Sequence, residues 1–232
     1  MNGPTAAAVP GYCSRVVLEE ERPGAQQWVP AKGGLAALSR AAQRCHGCEL
    51  YRDATQAVMG AGPSDARLVL LGEQPGDQED RAGAPFVGPA GRILDSALAD
   101  AGIAKEDTYV TNMVKHFRFR STRGKQRIHQ SPTQAHVIAC APWLEAELDL
   151  LRPTGVVLLG STAGKALYGP SFRVGDSRGV LTSWPDRIPA SHPPEWVLPT
   201  THPSAILRAG DRRHEVYAGL VDDLRLAARS LA

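Results

Sequence analysis

The chain has 232 residues, of which 43% are hydrophobic and 22% charged, with a formal net charge of +2 at pH 7. These values are ordinary for a soluble globular protein and allow one large domain with a substantial core. The N-terminus lacks a basic stretch followed by an apolar one, and no apolar run approaches 18 residues. We therefore expect a cytoplasmic protein that is neither exported through a signal peptide nor membrane-spanning.

The predicted elements alternate between strands and helices. Residues 1–30 are rich in Ala, Pro and Gly, which predicts a mobile or loosely docked N-terminal arm, and residues 31–232 are expected to form one domain. Continuous apolar runs predict strands at 68–71, 109–114, 156–159 and 197–201. Helical spacing predicts helices at about 35–42, 89–101, 132–148, 161–167 and from 213, with a turn at 206–208. This order implies a mainly parallel sheet covered by helices on both faces.

Two polar, loop-forming segments follow the first predicted strand. The first is Gly72-Glu73-Gln74-Pro75-Gly76-Asp77, and the second is the Gly/Pro-rich stretch 83–92, which contains Phe86. Such residues also form ordinary turns. In open α/β sheets, however, ligands bind where strands end, and an enzyme acting on an extrahelical base needs a ring to stack on it.

Two further strand ends carry candidate functional residues. Asn112 lies near the end of the second predicted strand, and its amide offers the donor and acceptor that complement a uracil edge. His202-Pro203-Ser204 follows the last predicted strand. The alternatives are a turn-forming Asn and a core histidine before a helix.

A basic segment separates the second strand from the next helix. No Asp or Glu occurs between Thr108 and Leu144, whereas six positive residues do: Lys115, Arg118, Arg120, Arg123, Lys125 and Arg127. Aromatic residues and histidines are interleaved with them. This pattern favours a loop that approaches a phosphate backbone, although a solvated charged face is the common alternative.

The cysteine spacing indicates metal or redox chemistry rather than disulfides. Cys45-x-x-Cys48 is followed far along the chain by Cys140, which supplies three of the four thiolates expected of such a site. Zinc is the commonest metal for a lone pair with this spacing. Cys13, in the N-terminal arm, is a fourth cysteine.

Together, the segments at 72–92 and 202–204 resemble the active-site motifs of the uracil-DNA glycosylase superfamily. The stretch Gly124-Lys125-x-Arg127-Ile128-His129-x-x-Pro132 resembles the loop that distinguishes its UdgX-type members. The resemblance covers roughly residues 32–228. It implies a three-layer α/β/α sandwich with a short, mainly parallel central sheet, and an enzyme that excises uracil from DNA.

The resemblance also implies roles for individual residues. Asn112 would read the uracil edge, and His202 would donate to the uracil O2, where negative charge gathers as the glycosidic bond breaks. The remaining uracil-binding residues would be Gly72, Gln74, Asp77 and Phe86. The DNA contacts would be Lys125, Arg127, Ser204 and Arg208, although capping and surface charge also explain the last two.

His129 would be the nucleophile in UdgX-type chemistry. The resemblance implies that it attacks C1′ of the deoxyribose after uracil departs, with Glu73 positioning or deprotonating it, so that the protein stays bonded to DNA. Gln126 departs from the basic residue of the family loop. One alternative is a multiple-turnover, family 4-like glycosylase in which water is the nucleophile. Another is a non-catalytic DNA-binding module.

Family 4 glycosylases, which the cysteines resemble, hold a 4Fe–4S cluster with four cysteines. This chain has His116 where the third would be, and imidazole can replace thiolate on a cluster iron. The implied ligands are Cys45, Cys48, His116 and Cys140, with Cys13 as a competing fourth ligand. The implied partner is uracil-containing DNA, single-stranded or with a flipped base. We expect a monomer that is nucleoid-associated and binds no membrane.

Overall fold

The computed structural model of the chain describes residues 22–122, 126–186, 188 and 190–231. In this part, the strands are β1 (Leu68–Gly72), β2 (Thr108–Asn112), β3 (Phe119–Ser121), β4 (Arg127–His129), β5 (Gly155–Leu159) and β6 (Trp196–Thr200). The α-helices are α1 (Leu35–Ala42), α2 (Asp77–Ala82), α3 (Pro89–Asp100), α4 (Gln134–Leu151), α5 (Ser161–Tyr168), α6 (Val174–Ser177), α7 (Pro203–Leu207) and α8 (Arg213–Ser230).

The central sheet is parallel and has the strand order β2-β1-β5-β6. Its strands are almost entirely buried, which explains why they occur as continuous apolar runs in the sequence. All four predicted strands are present. The second ends at Asn112, two residues earlier than predicted, because Met113 and Val114 bond instead to the carbonyls of Gly72 and Glu73 beyond the edge of the sheet.

Alternating residues of the strands enter two separate cores. Val69 and Leu71 of β1 pack in the core formed with α1, α4 and α5. Leu68 and Leu70 face the other way, into the core formed with α3, α7 and α8. Helices therefore cover both faces of the sheet, and the predicted three-layer α/β/α fold is confirmed.

The basic segment differs from the predicted loop. Its two arms form an antiparallel hairpin, β3–β4, with Phe119 opposite His129 and Ser121 opposite Arg127. Residues 123–125, which include Lys125, lie outside the described residues. The hairpin stands apart from the main sheet, so its position depends on contacts made by side chains.

Gly160 is the residue that precedes α5. It adopts a φ of 90°, and a Cβ there would lie 2.7 Å from the Cβ of His202. Only glycine allows this left-handed turn and the close approach of the His202 segment. The turn thus brings the ends of β5 and β6 together.

Part of the expected N-terminal arm is docked on the domain. The Ala25 N–H donates to the Ala139 carbonyl at 2.8 Å, and the Gly24 N–H donates to the Gly47 carbonyl at 3.1 Å. Arg22 forms an ion pair with Glu49. Residues 1–21, including Cys13, lie outside the described residues. In the part of the chain that is described, no helix is both long and apolar enough to cross a membrane.

Candidate active site

The carboxyl ends of all four central strands open into one cleft of about 610 Å³. Glu73 and Gln74 follow β1, Asn112 ends β2, Gly160 follows β5 and His202 lies beyond β6. The chain leaves β1 for β2 on one side and later returns through β5 on the other. The cleft therefore lies at the topological switch point, where open α/β sheets bind their ligands.

The structure brings most of the predicted site residues into this cleft. Those that line it are Glu73, Gln74, Phe86, Asn112, His129, His202, Ser204 and Arg208. Of the remaining predicted site residues, Gly72, Asp77 and Arg127 do not line the cleft, and Lys125 lies outside the described residues. The two motifs and the hairpin, far apart in sequence, thus contribute to one site.

Gly72 makes room for the wall of the cleft. It pairs with Asn112 across β1 and β2, and a Cβ at this position would collide with the Asn112 Oδ1 and lie 2.9 Å from the Phe86 ring. Phe86 itself has a φ of 53°, a strained conformation for a bulky residue. The absence of a side chain at Gly72 therefore allows the Asn112 amide and the Phe86 ring to lie next to each other in the lining of the cleft.

Asn112 is well placed to recognise a polar ring edge. Its side chain is 2% exposed, and no hydrogen bond within the described residues uses the side-chain amide. The amide therefore faces the cleft with its donor and acceptor available for a ligand with complementary groups. The N3–H and O4 of uracil are such groups.

A buried network fixes the end of the strand that carries Asn112. The Lys115 Nζ donates to the Asn112 carbonyl at 2.7 Å, to Thr111 Oγ1 at 2.9 Å and to Glu147 Oε2 at 2.7 Å. Glu147 also accepts from Tyr109 Oη at 2.9 Å. Lys115, predicted as part of a DNA-facing basic run, is instead buried because α4 supplies its counter-charge.

His202 presents a neutral imidazole to the cleft. Its Nδ1 accepts the Ser204 backbone N–H at 3.1 Å and contacts Ser204 Oγ at 2.8 Å. Burial, and to a lesser degree the neighbouring Arg208 and His129, lowers the pKa of His202 to about 4. Because Nδ1 is an acceptor, the proton of the neutral ring is assigned to Nε2. Ser204 thus holds the ring, and Arg208 in turn donates to Ser204 Oγ at 3.2 Å.

Glu73 and His129 line the same cleft but belong to different parts of the fold, the central sheet and the hairpin. Glu73 follows β1, and its buried Oε1 has no hydrogen-bond partner among the described residues. His129 is exposed on β4, with its ring 6.0 Å from that of Phe117. An unsatisfied buried carboxylate oxygen calls for a proton donor, and an imidazole N–H or a water in the cleft would supply one.

Gln74 connects the first motif to the hairpin. Its Nε2 donates to the carbonyls of Arg118 and Gln130, both at 3.1 Å, and its Oε1 accepts the Arg118 N–H at 3.0 Å. Gln74 was predicted to bind uracil. In this geometry, its amide holds both arms of the hairpin, so the side chain has little capacity left for a base.

Arg127 faces inward rather than toward DNA. It forms ion pairs with Asp77 and with Asp80, the latter at 2.6 Å, and its guanidinium lies over the rings of Phe117 and Phe119. Its side chain is only 12% exposed. This geometry does not support Arg127 as a DNA contact or Asp77 as a uracil ligand. The two residues instead attach the hairpin to α2, because a buried Asp80 requires a partner.

Glu79 is a site residue that the motif alone did not indicate. Its carboxylate accepts the N–H of Gly76 at 3.1 Å and the N–H of Gly88 at 2.8 Å. It therefore ties together the two loops that carry Glu73 and Phe86. The signal in the sequence is a Glu three residues after Gly76, the position from which a side chain reaches back to a helix start.

The three cysteines of the predicted cluster site are buried together. The Lys115 N–H donates to Cys140 Sγ at 3.3 Å, and the Trp143 Nε1–H donates to Cys45 Sγ at 3.3 Å. Burial raises the pKa of Cys140 to about 12, and the charges of Cys48 and Cys45 add to this effect. Three buried cysteines of one core, with N–H donors to two of the sulfurs, fit the thiolate ligands of an iron–sulfur cluster.

His116, the predicted fourth ligand, is buried. Burial lowers its pKa to about 4, and the nearby Asp80 opposes this effect. Among the residues described, no three His, Cys, Asp or Glu side chains are arranged to hold a single metal ion. His116 stays a prediction, and Cys13 lies outside the described residues.

Comparison with known proteins identifies relatives along most of the chain. The family described as the uracil DNA glycosylase superfamily matches residues 59–225. A type-4 uracil-DNA glycosylase of Thermotoga maritima is 33% identical over 195 residues, covering 82% of this chain and 91% of the relative. One from Pyrobaculum aerophilum is 33% identical over 190 residues, covering 80% and 91%. A type-5 enzyme of Thermus thermophilus is 34% identical over 120 residues, covering 47% and 53%.

Proposed function

Because the chain belongs to the uracil DNA glycosylase superfamily and is a uracil-DNA glycosylase, we propose that it also captures the abasic product on His129. The alternative of a non-catalytic DNA-binding module is not supported by this membership. The uracil-leaving step and the capture step use different residues of the same cleft.

The cleft residues account for uracil binding and departure. A flipped uracil enters between strand ends, stacks on Phe86 and pairs its N3–H and O4 with the Asn112 amide. His202 Nε2–H donates to O2 as the C1′–N1 bond breaks and its electron pair moves onto the uracil. A neutral donor fixed by Ser204 stabilises this anion without needing to reorganise.

In the capture step, the nucleophile attacks the sugar that remains after uracil has left. When the C1′–N1 bond breaks, the sugar becomes oxocarbenium-like, and a nitrogen of the His129 imidazole forms a new bond to C1′. The imidazole then carries a positive charge until its other N–H loses a proton. The buried, unpartnered oxygen of Glu73 is the proposed proton acceptor. This oxygen, in the same cleft as His129, is the observation that carries the proposal.

The cluster ligands belong to the same proposal. Cys45, Cys48 and Cys140, with His116 as the proposed fourth ligand, would hold a 4Fe–4S cluster, which supplies a covalent cross-link between their segments. The chain itself already joins these segments, because the Lys115 backbone bonds to Cys140 and its side chain bonds to Asn112. The cluster would therefore help to hold Asn112, the proposed uracil-binding residue, in a fixed position.

The substrate and setting are proposed to match this chemistry. The preferred DNA is single-stranded or has a flipped uracil, since the cleft admits an extrahelical base. The protein acts as a monomer on DNA in the cytoplasm, associated with the nucleoid. Because each molecule ends bonded to its product, the reaction is effectively single-turnover.

A denaturing gel tests capture directly. Mixing the purified protein with uracil-containing single-stranded DNA should give a band shift that survives denaturation, whereas the matched thymine oligonucleotide should give none. Nuclease digestion and peptide mapping should then locate a sugar remnant on His129.

Two results would contradict the proposal. Uracil release with turnover and no stable band would favour the multiple-turnover alternative, in which Glu73 activates water. A sugar remnant on a different residue would remove His129 from the nucleophile role while leaving the glycosylase activity in place.

A further inference from the structure

A second groove, of about 500 Å³, lies beside the active-site cleft. The two share a wall: Ser204 of α7, and Arg208 just after it, line the cleft, whereas Ile206 and Leu207 of α7 line the groove. The first turn of α3 likewise borders both.

The lining of the groove combines positive charge with an apolar floor. Arg92, Arg213 and His214 are exposed around it, and Ile93 and the Tyr217 ring lie among them. No Asp or Glu among the residues that the structure describes lines it. Within the described residues, neither arginine forms an ion pair. The nearby Glu215 is paired with Arg212, so it does not neutralise them.

This composition matches a nucleotide better than a simple anion. Guanidinium groups bind phosphate, while apolar and aromatic side chains pack against sugars and bases. An acidic peptide offers the charge but not the flat rings. The groove also adjoins the cleft that holds the uracil, which places it within reach of the same DNA strand.

We propose that this groove binds the nucleotide next to the flipped uracil, with Arg92 and Arg213 contacting its phosphates. The proposal rests on the proposed function of the cleft and adds a path for the DNA strand beyond it. Arg208, which lines the cleft, directly follows Leu207, which lines the groove.

The test uses DNA that binds but is not cleaved. Single-stranded oligonucleotides of about 15 nucleotides carrying 2′-fluoro-2′-deoxyuridine resist glycosidic cleavage, so Kd can be measured by fluorescence anisotropy across a salt series. The variant is Arg92→Gln/Arg213→Gln. The control is Arg229→Gln, which removes one exposed charge from the far end of α8.

The double variant should raise Kd roughly tenfold and reduce the slope of log Kd against log salt by about 1.4, or about 0.7 for each lost phosphate contact. The control should leave both unchanged. The isolated nucleoside 2′-fluoro-2′-deoxyuridine should bind the wild type and the double variant equally, because it lacks the neighbouring nucleotide and its phosphates.

Equal salt slopes for the wild type and the double variant on the longer oligonucleotide would overturn the proposal. So would an equal loss in the Arg229→Gln control. Uracil release is measured separately on cleavable DNA. A wild type that shows the expected slopes but releases no uracil would count against the function of the cleft and not against the groove.

Discussion

Two regions of the active site are held in place by different interactions. The first is the uracil-binding wall, formed by Asn112 and His202, and the second is the capture hairpin, β3–β4, which carries His129. Asn112 ends a strand of the central sheet, and His202 follows another through one residue, so hydrogen bonding between strands sets their positions. His129 lies on a two-stranded hairpin that Gln74 and Arg127 attach to the rest of the domain. The residues proposed to act on the leaving uracil are thus fixed by the central sheet, whereas the residue proposed for capture lies on a hairpin held by side-chain contacts.

This difference implies that the two chemical steps can be separated by mutation. Residues of the wall act on the uracil, and their loss should slow both steps because capture needs the electrophile. Residues of the hairpin act after the bond has broken, and their loss should affect capture alone.

The largest expected effect comes from His129→Ser, which removes the proposed nucleophile and leaves room for water. The covalent adduct should fall at least about 100-fold, while uracil release continues and becomes multiple-turnover. A denaturing gel and uracil release from the same reactions give both values. An undiminished adduct would show that the hairpin does not carry the nucleophile.

His202→Ala should slow both steps together. Removing a hydrogen-bond donor to a developing anion costs on the order of 100-fold in rate, about 2.7 kcal/mol. Single-turnover uracil release measures the effect, and His192→Ala, at an exposed loop position, is the matched control. Normal release with impaired capture in His202→Ala would reverse the proposed division between wall and hairpin.

Gln74→Ala sharpens the comparison because it distinguishes two roles for one side chain. If Gln74 holds the hairpin, the rate of capture should fall about tenfold as His129 loses alignment. Uracil release should then change by less than about twofold, and Gln126→Ala, an exposed hairpin residue, should behave as wild type. A fall in release equal to the fall in capture would restore Gln74 as a uracil-binding residue.

The sequence predicted the wall better than the hairpin. Buried parallel strands appear as continuous apolar runs, and polar residues at their ends fall at the same edge of the sheet. Asn112, His202 and Glu73 could therefore be placed together before the fold was known. Gly160 was missed because its requirement comes from the approach of His202, a contact between distant segments.

The inward direction of Arg127 could not be predicted in the same way. Its partners Asp77 and Asp80 lie about 50 residues earlier in the chain, on a short helix that no apolar period revealed. Lys115 shows the same limitation, since Glu147 lies on a separate helix. A run of positive residues gives the charge of a segment but not which of its side chains will be buried.

The Lys115–Glu147 pair also has a consequence for hydrogen exchange. Both side chains are at most 1% exposed, and the pair joins the end of β2 to α4. Opening that strand end alone would leave Glu147 buried on α4 without its counter-charge, so its amides should exchange only through broad unfolding of the sheet. The amides of Thr122 and Gln130, in the hairpin, should exchange through local opening. One cleft would then combine the slowest-exchanging and some of the fastest-exchanging parts of the molecule.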